Sequence, residues 1–404
     1  MNISGIHDCF GCGVCATACP RNIIDIKLNS SGFYEPQIIN LDKCTNCGIC
    51  HDVCSFCHED MSLTPDFVQT YAGWSNNSNI RRICSSGGIS YEVGKKLISQ
   101  GFKVCGVLYN SEKKRAEHYI ATSVEELIPS IGSKYIQSYT VDGFKAINRK
   151  EKYLVVGTPC QIDSFRRYIK KFRCEDNFVL LDFFCHGVPS MLMWYKYLDE
   201  VTKKTGKINY VSWRNKFTGW HDSWAMSING EKEPLQIISW KDSYNMLILK
   251  KGVYNSRYSQ GDSFYKFFLS DLCLGKQCYH SCRFKYDKSS ADIRIGDCWG
   301  ETYKDNDEGV SSILVLTKKG NEVMHNSNCY LKELPLSVIA EGQMKSNPLK
   351  PYFSYIVQYC LKSDRVPLSL LTYIATLQFS LNKFRRRLFN PRRTLSKLIN
   401  KIVQ

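Results

Sequence analysis

Cys9-Phe10-Gly11-Cys12-Gly13-Val14-Cys15-Ala16-Thr17-Ala18-Cys19-Pro20 sets a spacing that returns, after 24 residues, in Cys44-Thr45-Asn46-Cys47-Gly48-Ile49-Cys50-His51-Asp52-Val53-Cys54-Ser55. Both runs read Cys-x2-Cys-x2-Cys-x3-Cys. Three cysteines at x2 intervals let a tight loop take three corners of one cubane, while the fourth reaches the other cluster. The expectation is two 4Fe–4S clusters, one on Cys9, Cys12, Cys15 and Cys54, the other on Cys44, Cys47, Cys50 and Cys19. Gly11, Gly13 and Gly48 suit backbone that wraps closely around a cluster, where positive φ is needed. Paired CxxC motifs also hold zinc, but zinc has no use for the x2-x2-x3 run. Ser55, in the place of Pro20, follows the last ligand and removes none.

The chain has 404 residues, 43% of them hydrophobic, which is enough for a small module and a larger one. The opening MNISGIHDCFGCG shows no basic n-region and no apolar h-region. Twenty cysteines without an export signal point to the reducing cytoplasm, with thiols serving metals. No uninterrupted apolar run of about 18 residues is present, so no spanning helix is expected. The formal charge of +16 overstates the basicity, because each four-thiolate cubane carries about two negative charges. The remainder gathers at the end, where Lys383 to Gln404 hold eight Lys or Arg and no acid.

Between the two runs, Ile23–Leu28 and Phe33–Ile39 read as short strands around a turn at Asn29–Gly32. Cys57 follows the second run, and at Thr64-Pro65 the composition changes to strand, Gly-rich turn and helix, repeated. Val68–Trp74 reads as the first strand. Ser85-Ser86-Gly87-Gly88 then opens a helix with Ile89, Val93 and Leu97 at helical spacing as far as Gly101. Such a turn is either a plain loop or a source of free N–H groups for a phosphate. Phe102–Tyr109 reads as the next strand, and Ser123-x-x-Glu126 as a capping box ahead of Gly132-Ser133-Lys134-Tyr135.

Tyr153–Val156 reads as a buried strand, Gly157-Thr158-Pro159-Cys160 as a turn and Gln161–Lys171 as a helix. Phe178–Phe184, Cys185-His186-Gly187-Val188-Pro189 and Ser190–Lys204 repeat the unit. Two such units imply parallel strands with right-handed crossovers. Both turns then lie at the carboxyl rim of one sheet, where open α/β folds bind ligands, and Cys160 and Cys185 face one crevice. Cys278-Tyr279-His280-Ser281-Cys282 adds a cysteine pair, before a strand over Asp292–Ile295 and the turn Gly296-Asp297-Cys298-Trp299-Gly300. Two rim cysteines and this pair make a third four-thiolate set. Cys105, Cys174, Cys329 and Cys360 read as buried apolar thiols.

These turns, in this order, resemble the family of coenzyme F420 hydrogenase/dehydrogenase beta subunits, and Trp213-Arg214-Asn215-Lys216 with Gly219-Trp220 is similar to another of its motifs. The resemblance covers about residues 66–344. It implies an FAD-binding α/β domain with one 4Fe–4S cluster beside the flavin, on Cys160, Cys185, Cys278 and Cys282. The family's cysteine pair is CxxC where this chain has CxxxC, which leaves Cys298 or Cys273 as substitutes. The resemblance further implies a flavin lined by Ser85, Ser86, Gly87, Gly88, Gly132, Ser133, Lys134, Tyr135, Gly157, Thr158, Gln161, Gly296, Asp297 and Trp299. A flavin also wants a cation near its diphosphate and N1 edge, for which Lys134 is the candidate. His186, beside the third set, is the candidate catalytic proton donor, with Trp213, Trp220 and His221 on the substrate side.

The expected architecture is an α+β ferredoxin-like module over residues 1–62, a larger α/β domain with a mostly parallel sheet over 66–345, and a helical basic tail over 346–404. The expected function is an iron–sulfur flavoprotein oxidoreductase that passes electrons, in either direction, between ferredoxin clusters, a third cluster, FAD and a substrate. The alternative is an electron carrier with the two ferredoxin clusters alone. The partners are a redox protein or small electron donor, and a small-molecule substrate. In the tail, Pro367–Leu381 is apolar, Arg385-Arg386-Arg387 follow, and Asn390-Pro391 starts a helix with Leu395, Leu398, Ile399, Ile402 and Val403 on one face. A basic amphipathic helix lies on an anionic membrane or docks on protein. No nucleic-acid motif accompanies it, so nucleic acid is not expected as a partner. The chain is expected in the cytoplasm, or at the inner face of the membrane.

Overall fold

The structure is a computed structural model that describes residues 1–216, 219–221, 225–231, 248–250, 253–257 and 262–389. At the N-terminus, β1 (Ile24–Leu28) and β2 (Tyr34–Ile38) form an antiparallel hairpin. Two helical turns flank it, α1 (Val14–Ala18) and α2 (Ile49–Asp52), and each starts from a left-handed glycine, Gly13 at φ 72° and Gly48 at φ 79°. A side chain in that conformation costs about 1–2 kcal/mol. The Cys-Gly pairs of the two runs are thus the start signals of both turns.

Further strands are β3 (Gln69–Ser75), β4 (Lys103–Asn110), β5 (Arg115–Ala121), β6 (Ser138–Tyr139), β7 (Tyr153–Val156) and β8 (Phe178–Phe183). They are followed by β9 (Ile208–Ser212), β10 (Ala225–Gly230), β11 (Ile248–Lys250), β12 (Val253–Arg257), β13 (Ile293–Asp297), β14 (Ser311–Val315) and β15 (Cys329–Glu333). A nine-stranded sheet has the order β15-β3-β14-β13-β8-β7-β4-β5-β6, and a four-stranded one the order β11-β12-β10-β9. The centre of the large sheet, β13-β8-β7-β4, is parallel. Its strands β7 and β8 are apolar and buried almost throughout, as a sheet covered on both faces requires.

Helices α3 (Ser78–Ile83), α4 (Ile89–Ser99), α5 (Val141–Lys145), α6 (Pro159–Lys171) and α7 (Met191–Thr205) complete the layers. On one face of the large sheet, Ile89, Val93 and Leu97 of α4 pack on Val104, Leu154 and Leu181. On the other, Ile162, Phe165 and Ile169 of α6 and Phe144 of α5 pack on Val155 and Leu180, and Cys12, Val14, Ala18 and Val53 join that same core. Polar ties reinforce the joint. Ser62 N donates to Asp163 Oδ1 (2.8 Å), Ser55 N to Ser164 Oγ (3.0 Å) and Thr140 Oγ1 to the Cys12 carbonyl (2.8 Å). A further core gathers α7, the helix Ser263–Leu269, the small sheet and the helices Ser354–Leu361 and Leu368–Phe389.

Several expectations need correction. The large sheet is mixed around its parallel centre: β14, β3 and β15 join antiparallel on one side, β5 antiparallel on the other, and β6 pairs parallel with β5 at the edge. Neither β5 nor the small sheet was expected. Gly296 and Asp297 lie within β13, laddered to Ser312 and Ser311, and not in a turn. The short helix after Ser123 is a 3-10 turn, Glu125–Ser130, with Pro129 inside. Half of the capping box forms, with Ser123 Oγ accepting from Glu126 N (3.4 Å), while the Glu126 carboxylate accepts from Thr122 N (2.6 Å). The apolar end is one 22-residue helix running to Phe389, and the face expected over Leu395–Val403 lies outside the described residues. Among these, no helix is long and apolar enough to cross a membrane.

Candidate functional site

The eight N-terminal cysteines surround two small cavities. Cys9, Cys12, Cys15 and Cys54 line one, together with Ile3, Phe10 and Phe56. Cys19, Cys44, Cys47 and Cys50 line the other, together with Ile23, Ile24 and Ile38. The fourth cysteine of each run therefore crosses to the cavity of its neighbour. Gly11 N donates to Cys9 Sγ (3.4 Å) and Asn2 Nδ2 to Cys44 Sγ (3.6 Å), and donors of this kind offset the negative charge of a cluster. Burial, with Cys54 nearby, pushes the Cys12 thiol up to about 11. Cys54 itself is held at about 7 by a hydrogen bond from the Cys57 thiol. Buried thiols gathered around one volume suit iron, which takes the place of the proton. Among the described residues no three His, Cys, Asp or Glu side chains converge on a single-ion site. The first quartet is buried, whereas Cys47 of the second is exposed.

The structure also brings Cys160, Cys185, Cys278 and Cys282 together. Cys160 is the second residue of α6, Cys185 lies two residues beyond β8, and Cys278 sits in the short helix Lys276–His280, which takes up the extra residue of the CxxxC spacing. Burial, and then Cys185, Cys282 and Cys12, raise the Cys160 thiol. Burial, and then Cys185, push Cys278 up to about 12. Cys273 and Cys298 are elsewhere, in two other apolar cores. The first and third quartets meet across α6. Cys12 Sγ lies 3.3 Å from Ser164 Oγ, one turn along from Cys160, and Ser55 Oγ donates to the Cys160 carbonyl (3.3 Å).

A cavity of about 620 Å³ opens beside the third quartet, with Cys185 and His186 in its lining. That is the size of a cofactor site. Ser85, Ser86, Gly88, Gly132, Ser133, Lys134, Tyr135, Gly157, Thr158, Gln161, Gly296, Asp297 and Trp299 all line it; Gly87 does not. A Cβ on Gly87 would stand 2.4 Å from the Gly73 carbonyl, so its role is to let the turn approach β3. Helix α4 starts at Gly88 with no side-chain cap, and its first residues line the cavity, where uncapped N–H groups suit an anion. The start of α6 differs, because Thr158 and Gln161 form a capping box, with Thr158 N donating to Gln161 Oε1 (2.9 Å). Gln161 Nε2 also donates to Ser138 Oγ (3.1 Å), so its side chain is already engaged at both ends. A Cβ on Gly132 would meet nothing within 4 Å, so that wall stands open.

The charges are arranged differently from the expectation. Lys134 Nζ donates to the carbonyls of Pro129 (3.1 Å), Ser130 (2.9 Å) and Ile131 (3.1 Å), closing the 3-10 turn instead of aiming at a ligand. Burial pulls it down to about 7, while the three carbonyls favour the ammonium. Lys216 is held the same way by the carbonyls of Arg81, Ser86 and Glu308. Lys285 is a cation beside the third quartet: its Nζ donates to the carbonyls of Cys185 (2.7 Å) and His186 (3.0 Å), and it lines the cavity. It lies three residues past Cys282, a placement that was available as a signal. Asp297 takes Arg214 and, at 2.9 Å, Trp220 Nε1, and Trp220 stacks flat on Trp299 (4.5 Å, 7°). Burial opposes the Arg214 cation, but Asp297 and Tyr135 outweigh it and hold its pKa above the usual value.

His186 Nε2 is 2.6 Å from Asp271 Oδ1, and its ring lies 4.8 Å from that of Phe268. The carboxylate fixes the ring, a partnership across 85 residues that spacing alone does not reveal. Trp213 is buried against Trp194 (5.0 Å), and His221 Nε2 contacts the Tyr303 carbonyl (2.9 Å). Neither lines the cavity.

Residues 150–336 match the model of the C terminus of the coenzyme F420 hydrogenase/dehydrogenase beta subunit, and residues 8–56 match the 4Fe-4S dicluster domain. The F subunit of the F(420)H(2) dehydrogenase of Methanosarcina mazei is 25% identical over 170 residues, covering 40% of this chain and 48% of that protein. The coenzyme F420-dependent sulfite reductase of Methanocaldococcus jannaschii is 24% identical over 327 residues, covering 78% and 45%. The beta subunit of the coenzyme F420 hydrogenase of Methanococcus voltae is 29% identical over 128 residues, covering 26% and 46%. In each case the match spans about half the length of the relative. One polypeptide thus joins a region that matches the C terminus of the coenzyme F420 hydrogenase/dehydrogenase beta subunit to a region that matches a 4Fe–4S dicluster domain.

Proposed function

We propose that the chain is the electron-relaying, flavin-holding part of an oxidoreductase, with its three cysteine quartets as ligands of three 4Fe–4S clusters and FAD in the cavity. The observation that carries this reading is adjacency. Cys12 of the first quartet touches α6, Cys160 stands at the start of α6, and Cys185 borders the 620 Å³ cavity. When bound, the clusters supply one-electron steps and the flavin couples them to a two-electron transfer.

The chain's own residues have separable tasks. Exposed Cys47 marks the side from which a redox partner approaches, and the buried first quartet keeps water from the middle of the path. Lys285 offsets negative charge beside Cys185. The uncapped start of α4, with Ser85 accepting from Ser133 N (2.9 Å), offers N–H donors to a diphosphate. Tyr135, Tyr286 and Trp299 supply aromatic walls. Asp271 holds His186 by one ring nitrogen and leaves the other to carry a proton. Coenzyme F420 stands in the relatives' names and is the first acceptor to screen; hydride acceptors of other classes follow.

The test is anaerobic purification of the full chain with iron, zinc and flavin measured on one sample. About twelve irons with one FAD per chain supports the reading. About eight irons without flavin leaves a ferredoxin-like carrier, and zinc in place of iron overturns both.

A further inference from the structure

The helix Leu368–Phe389 has two apolar faces. Leu368, Leu371, Ala375 and Gln378 are buried in the core. Leu370, Tyr373, Leu377, Leu381 and Phe384 recur at three- and four-residue intervals on nearly the opposite side, and they are exposed by 51%, 64%, 42%, 43% and 61%. A surface helix of a globular protein carries polar residues on that side. The neighbouring helix Ser354–Leu361 repeats the arrangement, with Val357 and Leu361 inside and Tyr355, Ile356 and Tyr359 outside, and Tyr352 is exposed just ahead of it. A contiguous exposed apolar patch of this kind marks a contact surface.

Charge identifies what it contacts. From Arg365 to Gln404 the sequence has nine Lys or Arg and no Asp or Glu. Lys350 adds a cation 3.5 Å over the Tyr355 ring. Between Lys345 and Gln404 the sequence has twelve Lys or Arg against one acid, Asp364. Protein interfaces mix both signs at their rim, whereas exposed Leu, Phe and Tyr in a stretch of this composition suit a helix lying in a lipid interface. There the apolar side chains enter the acyl boundary, tyrosine hydroxyls stay among the headgroups, and the cations meet anionic lipid. We propose that the exposed faces of Ser354–Leu361 and Leu368–Phe389 rest on an anionic lipid surface and hold the redox unit against a membrane without crossing it. The inference is independent of which cofactors the cysteines hold.

The experiment is co-sedimentation of the full-length, anaerobically purified protein with vesicles of phosphatidylcholine alone or with about one third phosphatidylglycerol. The expected result is binding to the anionic vesicles, at least about tenfold weaker to the zwitterionic ones and weakened by about 0.5 M NaCl. Leu377→Glu/Leu381→Glu, on the exposed stripe, is expected to lower anionic-vesicle binding at least about tenfold with iron content and melting temperature unchanged. Tyr355→Ser/Tyr359→Ser tests the other helix by the same readouts. Failure to pellet with anionic vesicles, equal binding to both kinds, or parental binding by both variants overturns the proposal. A dimer in sedimentation velocity that Leu377→Glu/Leu381→Glu abolishes, without vesicle binding, also overturns it and gives the stripe to a second copy of the chain.

Discussion

Replacing Arg294 by Met tests whether one buried ion pair holds the wall of the site. Arg294 and Asp182 are register partners on the parallel strands β13 and β8, and both side chains are fully buried. Nε and Nη2 of Arg294 reach the two carboxylate oxygens at 2.7 and 2.8 Å. Nη1 donates to the carbonyls of Phe284 (3.2 Å) and Tyr286 (2.9 Å), which flank Lys285. Arg294→Met leaves the buried Asp182 carboxylate without its counter-charge, with Ser289 Oγ (2.7 Å) still donating to it, at a cost of about 3–5 kcal/mol. The two freed carbonyls place it toward the upper end. Arg294→Met/Asp182→Leu removes both charges and is expected to recover at least about 2 kcal/mol of that loss. The assay is anaerobic urea unfolding of the loaded protein, followed by tryptophan fluorescence and by the visible absorbance of the clusters. Under the proposed function, the single variant should also lose the absorbance of the third cluster and flavin at lower urea, because Lys285 and Tyr286 line the cavity and Lys285 holds the Cys185 carbonyl. A single variant within about 1 kcal/mol of the parent, or a double variant less stable than the single, would refute the reasoning.

His118 is buried, with Nε2 3.0 Å from the Val156 carbonyl, and burial pushes it down to about 4. The unfolded chain takes up this proton near 6.5 and the folded one does not. Stability is therefore full above about pH 6.5 and falls by about 3 kcal/mol as pH drops to 4, a slope that His118→Gln should remove in denaturant titrations. Gly13→Ala puts a Cβ 2.1 Å from Thr140 Oγ1 at φ 72°. It should destabilise the joint by more than the about 1–2 kcal/mol of backbone strain, with partial rescue by Thr140→Ala in thermal melts. Cys282→Ser is expected to remove about four of twelve irons and leave the dicluster's paramagnetic signal unchanged. Retention of all the iron, with loss on Cys273→Ser instead, would reassign the ligand.

The cysteine runs were legible because their spacing is the chemistry itself. The units around Cys160 and Cys185 were legible because Tyr153–Val156 is an unbroken apolar strand and Phe178–Phe183 is broken only by Asp182, a pattern that suits a doubly covered sheet. β5 escaped notice because Arg115, Glu117 and His118 make it look like loop. In the fold, Arg115 Nε meets Glu117 (2.9 Å) and His118 packs beneath α5 against Phe144 (4.9 Å). The turns around the cavity were readable as turns, but the direction of a flexible cation was not. Nothing in Gly132–Tyr135 says that Lys134 folds back on its own carbonyls, and the pairing of His186 with Asp271 depends on contacts distant in sequence. Lys285 was passed over because one lysine in a basic loop carries no periodicity.

Cys12, Val14, Ala18 and Val53 share a core with Phe144, Ile162 and Phe165, and this bears on how such proteins are divided or joined. Cutting the chain near Thr64-Pro65 would not release a bead from a string; it would open an apolar seam with its polar ties and expose α6 along one side. A transplanted dicluster unit from another polypeptide would have to reproduce the shape of that seam, and a linker of any length would not substitute for it. Where a homologous pair occurs as separate chains, the seam becomes an obligate interface between them, and each half should be poorly soluble without the other.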